Sequence, residues 1–258
     1  MLRTIDLNSD MGESFGRWQL GNDAELMEVI TSANIACGWH GGDPAVMRTT
    51  VELAVAKGVG IGAHVGLPDL LGFGRRRMQV TPDEIYDYTM YQSGALRAFA
   101  EAAGGRLQHV KPHGAFYTMS AADEALAAAL VRAVAALGDG VVLYGMGEIE
   151  PSLAKQAGVG YVREGYVDLN YDGGGGLVIE RNKGAWDPGR SRGERCGWRP
   201  ETRWEPSKGT RWRWRCNRSV SMATRRTRVR SRGGCDNVWK RPASASLLFA
   251  RCRPFELY

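Results

Sequence analysis

The stretch ANIACGWHGGDP, residues 33–44, contains one complete strand-to-helix unit, and the fold can be predicted outward from it. Its first part, Ala33–Cys37, is short, apolar and uninterrupted, which is typical of a buried strand. Glycines and one histidine follow. Asp43 and Pro44 then supply an N-cap and a first-turn proline for a helix that we predict to continue to about Lys57. A strand, a glycine-rich loop and a helix form the repeating unit of parallel α/β proteins.

The same unit recurs along the first two thirds of the chain. We predict further strands at Thr4–Leu7, Val59–Ala63, Leu107–Val110, Val141–Tyr144 and Gly160–Arg163. We predict further helices at Asp23–Ile30, from the capping box at Thr81 to about Ala103, and at Ala121–Leu137 and Glu150–Ala157. Strands that alternate with helices indicate a parallel sheet covered by helices.

Polar side chains accompany the first strand and recur after the next three. Asp6, Asn8 and Asp10 alternate along the chain at the end of the first predicted strand, and Glu13 follows them. Alternate residues of an extended chain share one face, so these groups could bind a metal or act in proton transfer. Considered alone, the segment fits a polar turn as well as a site.

The histidines favour a site over a turn. His40 follows the second predicted strand, His64 the third, and the pair Lys111 and His113 the fourth. The carboxyl ends of barrel strands share one face and supply catalytic groups from several strands, whereas an open sheet has one crevice. We therefore predict a β/α barrel with these residues around one mouth. His109 is interpreted as structural.

Two other features are weaker. Arg75 and Arg76 lie in a long loop after the third strand, where they form either an anion-binding lid or a solvated charge run. Cys37 is expected to be a small buried core residue. Neither a P-loop nor a nucleophile elbow is present, so any nucleotide must bind in another way or on another chain.

The charge distribution divides the chain at about residue 189. Residues 189–258 contain 19 basic and 5 acidic residues, four of the five cysteines and five of the eight tryptophans, whereas residues 1–188 contain 15 basic and 23 acidic residues. We predict a catalytic barrel domain over 1–188 and a basic, disordered tail over 189–258. No apolar run is long enough to span a membrane and no secretory signal is evident, so we expect a cytoplasmic protein.

Four segments, taken together, resemble the LamB/YcsF family. They are DLNSDMGESFGRW from Asp6, SANIACGWHGGDP from Ser32, IGAHVGLPDLLGFGRR from Ile61 and VKPHGAFY from Val110. The resemblance covers residues 3 to about 188. It implies a seven-stranded barrel of the glycoside hydrolase/deacetylase type and ATP-dependent opening of 5-oxo-L-proline to L-glutamate, performed with two partner subunits.

Roles for the site residues are hypotheses that follow from this resemblance. Asp10 or Asp6 would activate water, and Asn8 and Glu13 would orient it. His40 and His64 would transfer protons or bind a divalent metal, although no metal ligand can be assigned. Lys111 and His113 would stabilise phosphate or oxyanion charge, and Lys111, Arg75 and Arg76 would contact ATP.

The tail departs from the family, whose members continue with further β/α units. We hypothesise a reading-frame shift near Pro188–Arg192, which would leave the barrel incomplete and could make the chain inactive; translation of the coding DNA in the other two frames tests this. Two alternatives stay open. One is a metal-dependent deacetylase that uses Asp10, His40 and His64, and the other is nucleic-acid binding through the tail. We place nucleic-acid binding last, because no nucleic-acid-binding signature is present.

Overall fold

The computed structural model describes residues 6–166, 170–171 and 177–178 of the 258. The predicted tail at 189–258, its predicted disorder and the proposed frame shift therefore lie outside the described residues, as do the first two residues of the predicted strand at Thr4–Leu7. Contact clustering separates the chain into two units, the first containing residues 1–164. The sheet, its helices and the site all belong to this first unit.

Six parallel strands form a sheet in which each strand pairs with the next one along the chain. They are β1 (Asn8–Met11), β2 (Ser32–Ala36), β3 (Gly60–Val65), β4 (Leu107–Pro112), β5 (Val142–Gly145) and β6 (Gly160–Arg163). In the other unit, β7 (Asn170–Tyr171) and β8 (Leu177–Val178) form an antiparallel pair. Parallel order in chain sequence is the arrangement predicted for a β/α barrel.

The sheet curls strongly, because side chains from distant strands touch in its interior. The ammonium group of Lys111 in β4 lies 3.2 Å from Oδ1 of Asn8 in β1, although two strands separate β1 and β4. The hydroxyl of Tyr144 in β5 lies 3.2 Å from Asp6, just before β1. The architecture is that of a β/α barrel. Within the described residues it is not closed, since β1 and β6 form the two edges and no seventh parallel strand is seen.

Six helices connect and cover the strands. They are α1 (Asp23–Leu26), α2 (Pro44–Lys57), α3 (Pro82–Ala102), α4 (Gly114–Ala122), α5 (Glu124–Ala136) and α6 (Glu150–Gln156). The Asp43 side chain accepts hydrogen bonds from two backbone N–H groups at the start of α2, and Thr81 and Glu84 form a reciprocal capping box for α3. These caps confirm the helix starts predicted from sequence.

Several boundaries differ from the prediction; α1, for example, ends at Leu26 rather than Ile30, and two other differences affect the site. The first strand is Asn8–Met11 rather than Thr4–Leu7, so Asn8 and Asp10 lie within the strand instead of after it. The single helix predicted at Ala121–Leu137 is two helices, because Asp123 leaves the helical conformation and caps α5. Consequently α4 begins at Gly114, directly after the site residue His113.

The core between sheet and helices is apolar, and its largest fully buried side chains include Phe116, Ile85 and Leu130. The interior of the curled sheet is instead polar. Burial of so many polar groups requires hydrogen-bonding partners, and those partners form the site described next. In the described part of the chain, no helix has the length and apolarity that crossing a bilayer requires.

Candidate functional site

The strand register places the polar side chains of the interior in rows. Asp10, Asn34, Gly62 and His109 occupy successive strands at one level, and Ala36, His64 and Lys111 occupy the next. A Cβ atom at Gly62 would overlap the ring of His109. Because Gly62 has no side chain, His109 reaches across β3 and its Nε2 lies 2.8 Å from Oδ1 of Asn34.

Lys111 is the centre of the polar interior. Its ammonium group donates to Glu164 Oε1 at 2.7 Å, to Asp10 Oδ1 at 3.2 Å and to Asn8 Oδ1 at 3.2 Å. Its side chain is only 4% exposed, so these oxygens replace its water shell. Two carboxylates and one amide are sufficient to keep a buried ammonium charged.

Asp10 is the accessible member of this group. Its side chain is 27% exposed, and its Oδ1 faces both Lys111 and the Nε2 atom of His64, each at 3.2 Å. Burial acts to raise the pKa of Asp10, but the charges of His64 and Lys111 outweigh burial and hold the pKa well below its usual value. Asp10 is therefore ionised at neutral pH, and part of its carboxylate reaches solvent.

Three of the four histidines of the chain gather beside Asp10. His64 Nε2 lies 2.9 Å from His113 Nδ1, and the ring of His113 stacks on that of His40 with centroids 3.7 Å apart. The carboxylate of Glu13 lies 3.6 Å from His40 Nε2. One ligand atom from each of these four residues, which we call the histidine cluster, lies within 4.8 Å of the others, so the cluster could hold a metal ion.

Two glycines allow the histidines to pack this closely. A Cβ at Gly66 would lie 2.5 Å from His40 Nδ1, and a Cβ at Gly74 would lie 2.8 Å from ring atom Cδ2 of His113. Gly74 also has φ +63°, a left-handed conformation that glycine adopts without strain. Burial lowers the pKa of His113 well below its usual range, and the neighbouring His40 and His64 lower it further.

The structure brings together all but one of the predicted catalytic residues. Asn8, Asp10, Glu13, His40, His64, Lys111 and His113 are joined by direct contacts. Asp6 is the exception: its carboxylate accepts hydrogen bonds from Thr31, Ser32 and Tyr144. The Asp6 carboxylate therefore bonds side chains of the sheet interior beneath the site. Within the described residues it makes no contact with the histidine cluster.

His109, interpreted from the sequence as structural, lies against the site, because residues 109 and 111 of one strand share a face. Its ring is hydrogen-bonded to Asn34, which in turn donates to Asn8 and Asp10. Burial, together with the smaller effect of the Lys111 charge, lowers the pKa of His109 to about 3. His109 is therefore a neutral supporting group of the site.

Trp39, which directly precedes His40, packs against Tyr88 and Tyr91 of α3. Cys37 behaves as predicted for a core residue. It is buried, and burial raises the pKa of its thiol to about 12. A thiol with that pKa is not a nucleophile at neutral pH.

The two arginines predicted to bind ATP lie on the loop between β3 and α3. The guanidinium of Arg76 is held by the carboxylate of Asp69, and that of Arg75 lies 5.5 Å from the ring centre of Phe73. Phe73 itself packs against His113. The loop is thus anchored at both ends of its Gly72–Arg76 segment, next to the histidine cluster.

Sequence reasoning missed three residues of the site. Glu164 binds Lys111 directly, and its second oxygen accepts a hydrogen bond from Tyr117 at 2.9 Å. Asn34 links β1 to β4. Glu164 directly follows β6, so the rule that polar residues after strand ends form the site would have identified it. Asn34 and Tyr117 carried no such signal, because one lies inside a strand and the other inside a helix.

Known proteins are similar to this chain over most of its length. The chain is 55% identical over 175 residues to the A-type subunit of 5-oxoprolinase from Tolumonas auensis, an alignment that covers 67% of this chain and 70% of that protein. It is 54% identical over 179 residues to the protein of the same name from Methylococcus capsulatus, covering 69% of each.

A solved structure is also similar. The crystal structure of a lactam utilization protein from Thermus thermophilus superposes with a TM-score of 0.68 at 42% identity, covering 73% of this chain and 78% of that one. The model of the LamB/YcsF family matches residues 5–192, a range that ends where the composition of the sequence changes. This chain belongs to the LamB/YcsF family.

Proposed function

We propose that the chain is the A-type subunit of a 5-oxoprolinase, a hydrolase that opens the cyclic amide 5-oxo-L-proline to L-glutamate with the hydrolysis of ATP. Relatives 47–55% identical to it bear the name of that 5-oxoprolinase component, and the similar crystal structure is named a lactam utilization protein. The observation that carries the proposal is the contact of one accessible carboxylate, Asp10, with both the Lys111 ammonium and His64.

Lys111 supplies the positive charge that amide opening needs. When water attacks the carbonyl carbon of a lactam, the carbonyl oxygen becomes negative, and a preorganised cation next to it lowers the barrier. Asn8, Asp10 and Glu164 hold the ammonium in place before substrate arrives. An ammonium that is already desolvated and oriented loses little energy to reorganisation as the charge develops.

Asp10 orients the attacking water and accepts its proton. Its pKa is held low, so the carboxylate is ionised at neutral pH and available as a hydrogen-bond acceptor. The same low pKa weakens it as a base, which makes orientation of the water its larger contribution. The leaving nitrogen of the opened ring then takes a proton to become the amine of glutamate.

The histidine cluster lies beside this pair. A divalent cation held by Glu13, His40, His64 and His113 would polarise the carbonyl oxygen or a water molecule. The steps assigned to Lys111 and Asp10 do not depend on that cation. If the cluster is metal-free, the Asp10–His64 contact supplies a second group for proton transfer.

ATP and the partner chains belong to the same proposal. The relatives are named as the A-type subunit of 5-oxoprolinase, which implies that the enzyme has other subunits. We propose that there are two of them.

A lactam is a poor electrophile, so transfer of the γ-phosphoryl group of ATP to its oxygen, with release of ADP, would prepare it for attack. Water would add to the carbonyl carbon and the ring C–N bond would break to give the free amine and an acyl phosphate. A second water would then hydrolyse the acyl phosphate to the carboxylate of glutamate and inorganic phosphate. Phosphate groups would meet Lys111, Arg75 and Arg76, of which Arg76 must first exchange its contact with Asp69. ATP itself is proposed to bind within the assembled complex.

We also propose the organisation predicted from the sequence: a catalytic region over residues 1–188, a basic tail over 189–258 arising from a frame shift, and a cytoplasmic location. The metal-dependent deacetylase alternative is compatible with the histidine cluster, which could hold a metal ion, whereas the nucleic-acid alternative rests on a tail that lies outside the described residues. A deacetylase would use the same Asp10 and His64, and only the substrate assay separates it from the proposed activity.

The proposal is tested by reconstitution. The full chain is mixed with the two partner subunits, ATP and 5-oxo-L-proline, and release of glutamate is measured, with the Methylococcus capsulatus relative as positive control. Asp10→Asn should lower turnover by about 100-fold or more. The matched change Asp87→Asn, at an exposed position of α3, should leave it unchanged.

Two results would contradict the proposed function. One is full turnover by the Asp10→Asn variant. The other is a folded wild-type chain that releases no glutamate, and gains no activity when the reading frame after residue 188 is restored, while the positive control is active in the same mixture.

A further inference from the structure

The hydrogen bonds of two histidines fix which ring nitrogen carries a proton. His64 Nδ1 lies 3.0 Å from the carbonyl oxygen of Lys111, and His113 Nε2 lies 2.9 Å from the carbonyl oxygen of Phe73. A carbonyl oxygen can only accept, so both of these nitrogens must donate. In neutral rings, the remaining nitrogens, His64 Nε2 and His113 Nδ1, then carry lone pairs.

Those two lone pairs face each other at 2.9 Å, and a third acceptor, Oδ1 of Asp10, lies 3.2 Å from His64 Nε2. Two acceptors at that distance repel unless a positive charge lies between or beside them. The charge is either a shared proton or a metal ion. The contacts of the outer nitrogens favour the metal, because histidines that bind a metal through one nitrogen usually donate the other N–H to a backbone carbonyl or a carboxylate.

Glu13 and His40 extend the same arrangement to four donors. Glu13 Oε1 lies 3.6 Å from His40 Nε2 and 3.9 Å from His113 Nδ1. A proton shared by His64 and His113 would explain the short distance between those two rings. It would not explain why Glu13 and His40 also direct their donor atoms towards the same point. Two ligand atoms of a tetrahedral ion with bonds of about 2.1 Å lie about 3.4 Å apart. The three distances given above, 2.9, 3.6 and 3.9 Å, lie on either side of this value.

The geometry points to a site for one first-row divalent metal ion, with Zn²⁺ the first candidate, bound by Glu13, His40, His64 and His113. Three imidazoles and one carboxylate match the preference of zinc and its neighbours, whereas Mg²⁺ and Ca²⁺ prefer oxygen donors only. Gly66 and Gly74 leave room for the rings, so the ligands are held by packing as well as by hydrogen bonds. The accessible Asp10 stands at the edge of this site.

The test measures metal binding without substrate, nucleotide or partner subunits, so its result is independent of the proposed activity. The full chain is stripped with a chelator and titrated with Zn²⁺ and, separately, with Co²⁺. We expect the wild-type chain to bind one equivalent of metal at this site. In His64→Gln and His113→Gln the affinity for that equivalent should fall at least about 100-fold. The matched variant His109→Gln, at the one histidine outside the cluster, should retain it.

The tail cysteines require a second readout, because thiolates also bind Zn²⁺. Thiolate bonded to Co²⁺ gives an intense near-ultraviolet charge-transfer band, which a site of imidazoles and a carboxylate lacks. The equivalent that depends on His64 and His113 should show tetrahedral Co²⁺ absorption without that band. Any cysteine-bound metal would be equal in wild type and variants and would cancel in the difference.

A carboxylate pair keeps the test decisive if the histidine variants unfold. Glu13→Gln removes a proposed ligand, whereas Glu150→Gln makes the same change at a buried carboxylate that bonds Ser120 and Tyr161. Binding should weaken in the first variant and persist in the second. Equal metal binding by wild type, Glu13→Gln and the folded histidine variants would overturn the assignment and leave a shared proton between His64 and His113.

Discussion

Asp10 and Glu150 are two largely enclosed carboxylates whose pKa values shift in opposite directions. Burial raises the pKa of Glu150, and its hydrogen bonds to Ser120, Tyr161 and the Gly147 N–H only partly offset burial. Burial acts on Asp10 in the same sense, but the charges of His64 and Lys111 reverse the result. Neighbouring cations, rather than burial, therefore distinguish the site carboxylate from the structural one.

The difference also shows how each group serves the protein. Glu150 begins α6 and ties that helix to β6 through Tyr161, with neutral donors that suit a carboxyl group of raised pKa. Asp10 is surrounded by groups that keep it charged, and part of it reaches solvent. A pKa shift indicates a functional site only when the charges that cause it are identified.

Replacement of Lys111 by alanine should have the largest effect, because it removes one of the cations that lower the pKa of Asp10, His64 being another. Asp10 and Glu164 would both lose the ammonium group that they contact, at a cost of about 3–5 kcal/mol of unfolding free energy. Urea unfolding of the full chain measures the loss.

The control for this variant is Lys57→Ala, whose ammonium contacts Glu28 at the surface and whose side chain is 37% exposed. It should change the unfolding free energy by less than about 1 kcal/mol. Equal losses in the two variants would show that the buried ion pairs of Lys111 contribute no more than a surface pair.

Gly66→Ala should have an intermediate effect on stability, because it disturbs His40, which belongs to the histidine cluster beside Asp10. The added Cβ would lie 2.5 Å from His40 Nδ1, so the ring must move or the backbone must shift, at about 1–3 kcal/mol. Gly94→Ala, in the middle of α3 with no atom within 4 Å of the new Cβ, should instead stabilise by about 0.5–1 kcal/mol. Thermal unfolding that fails to separate these variants in sign contradicts the tight packing around His40.

The pH dependence of stability should show the smallest effect, about 1.4 kcal/mol per unit of pKa shift. The lowered pKa of Asp10 stabilises the fold above pH 3.8, and this contribution is lost as the pH falls through the lowered pKa. The raised pKa of Glu150 favours the fold below pH 4.5, and this contribution is lost as the pH rises through the raised value.

Variants isolate the two contributions. The stability advantage of wild type over Asp10→Asn should shrink as the pH falls below 4, whereas its advantage over Glu150→Gln should shrink as the pH rises above 4.5. Urea unfolding at a series of pH values measures both differences. Parallel pH profiles for the two variants would mean that both carboxylates experience the same environment.

The alternation of strands and helices was predictable because each unit carries local signals. Asp43 with Pro44 and Thr81 with Glu84 mark helix starts through contacts within four residues. The first strand was placed four residues too early, since apolar character ends at Leu7 while pairing with β2 begins at Asn8. A strand whose inward face is polar gives no hydrophobic signal, so only its partner strand reveals it.

The site was predictable as a set of residues but not as a network. Position at strand ends grouped His40, His64, Lys111 and His113, because parallel strands present these ends on one side. The same reasoning grouped Asp6 with Asp10, although Asp6 bonds Tyr144 beneath the site. The level of a side chain along the barrel axis depends on strand register, which no local pattern encodes.

The sequence by itself determined the elements, the family and the side of the sheet on which the chemistry lies, since caps, glycines and polar strand ends act over a few residues. Only the tertiary structure decided which charges meet: that Glu164 neutralises Lys111, that Gly62 lets His109 reach Asn34, and that two histidines direct lone pairs at one point. Such encounters depend on the curl and register of the whole sheet, and a short-range pattern carries neither.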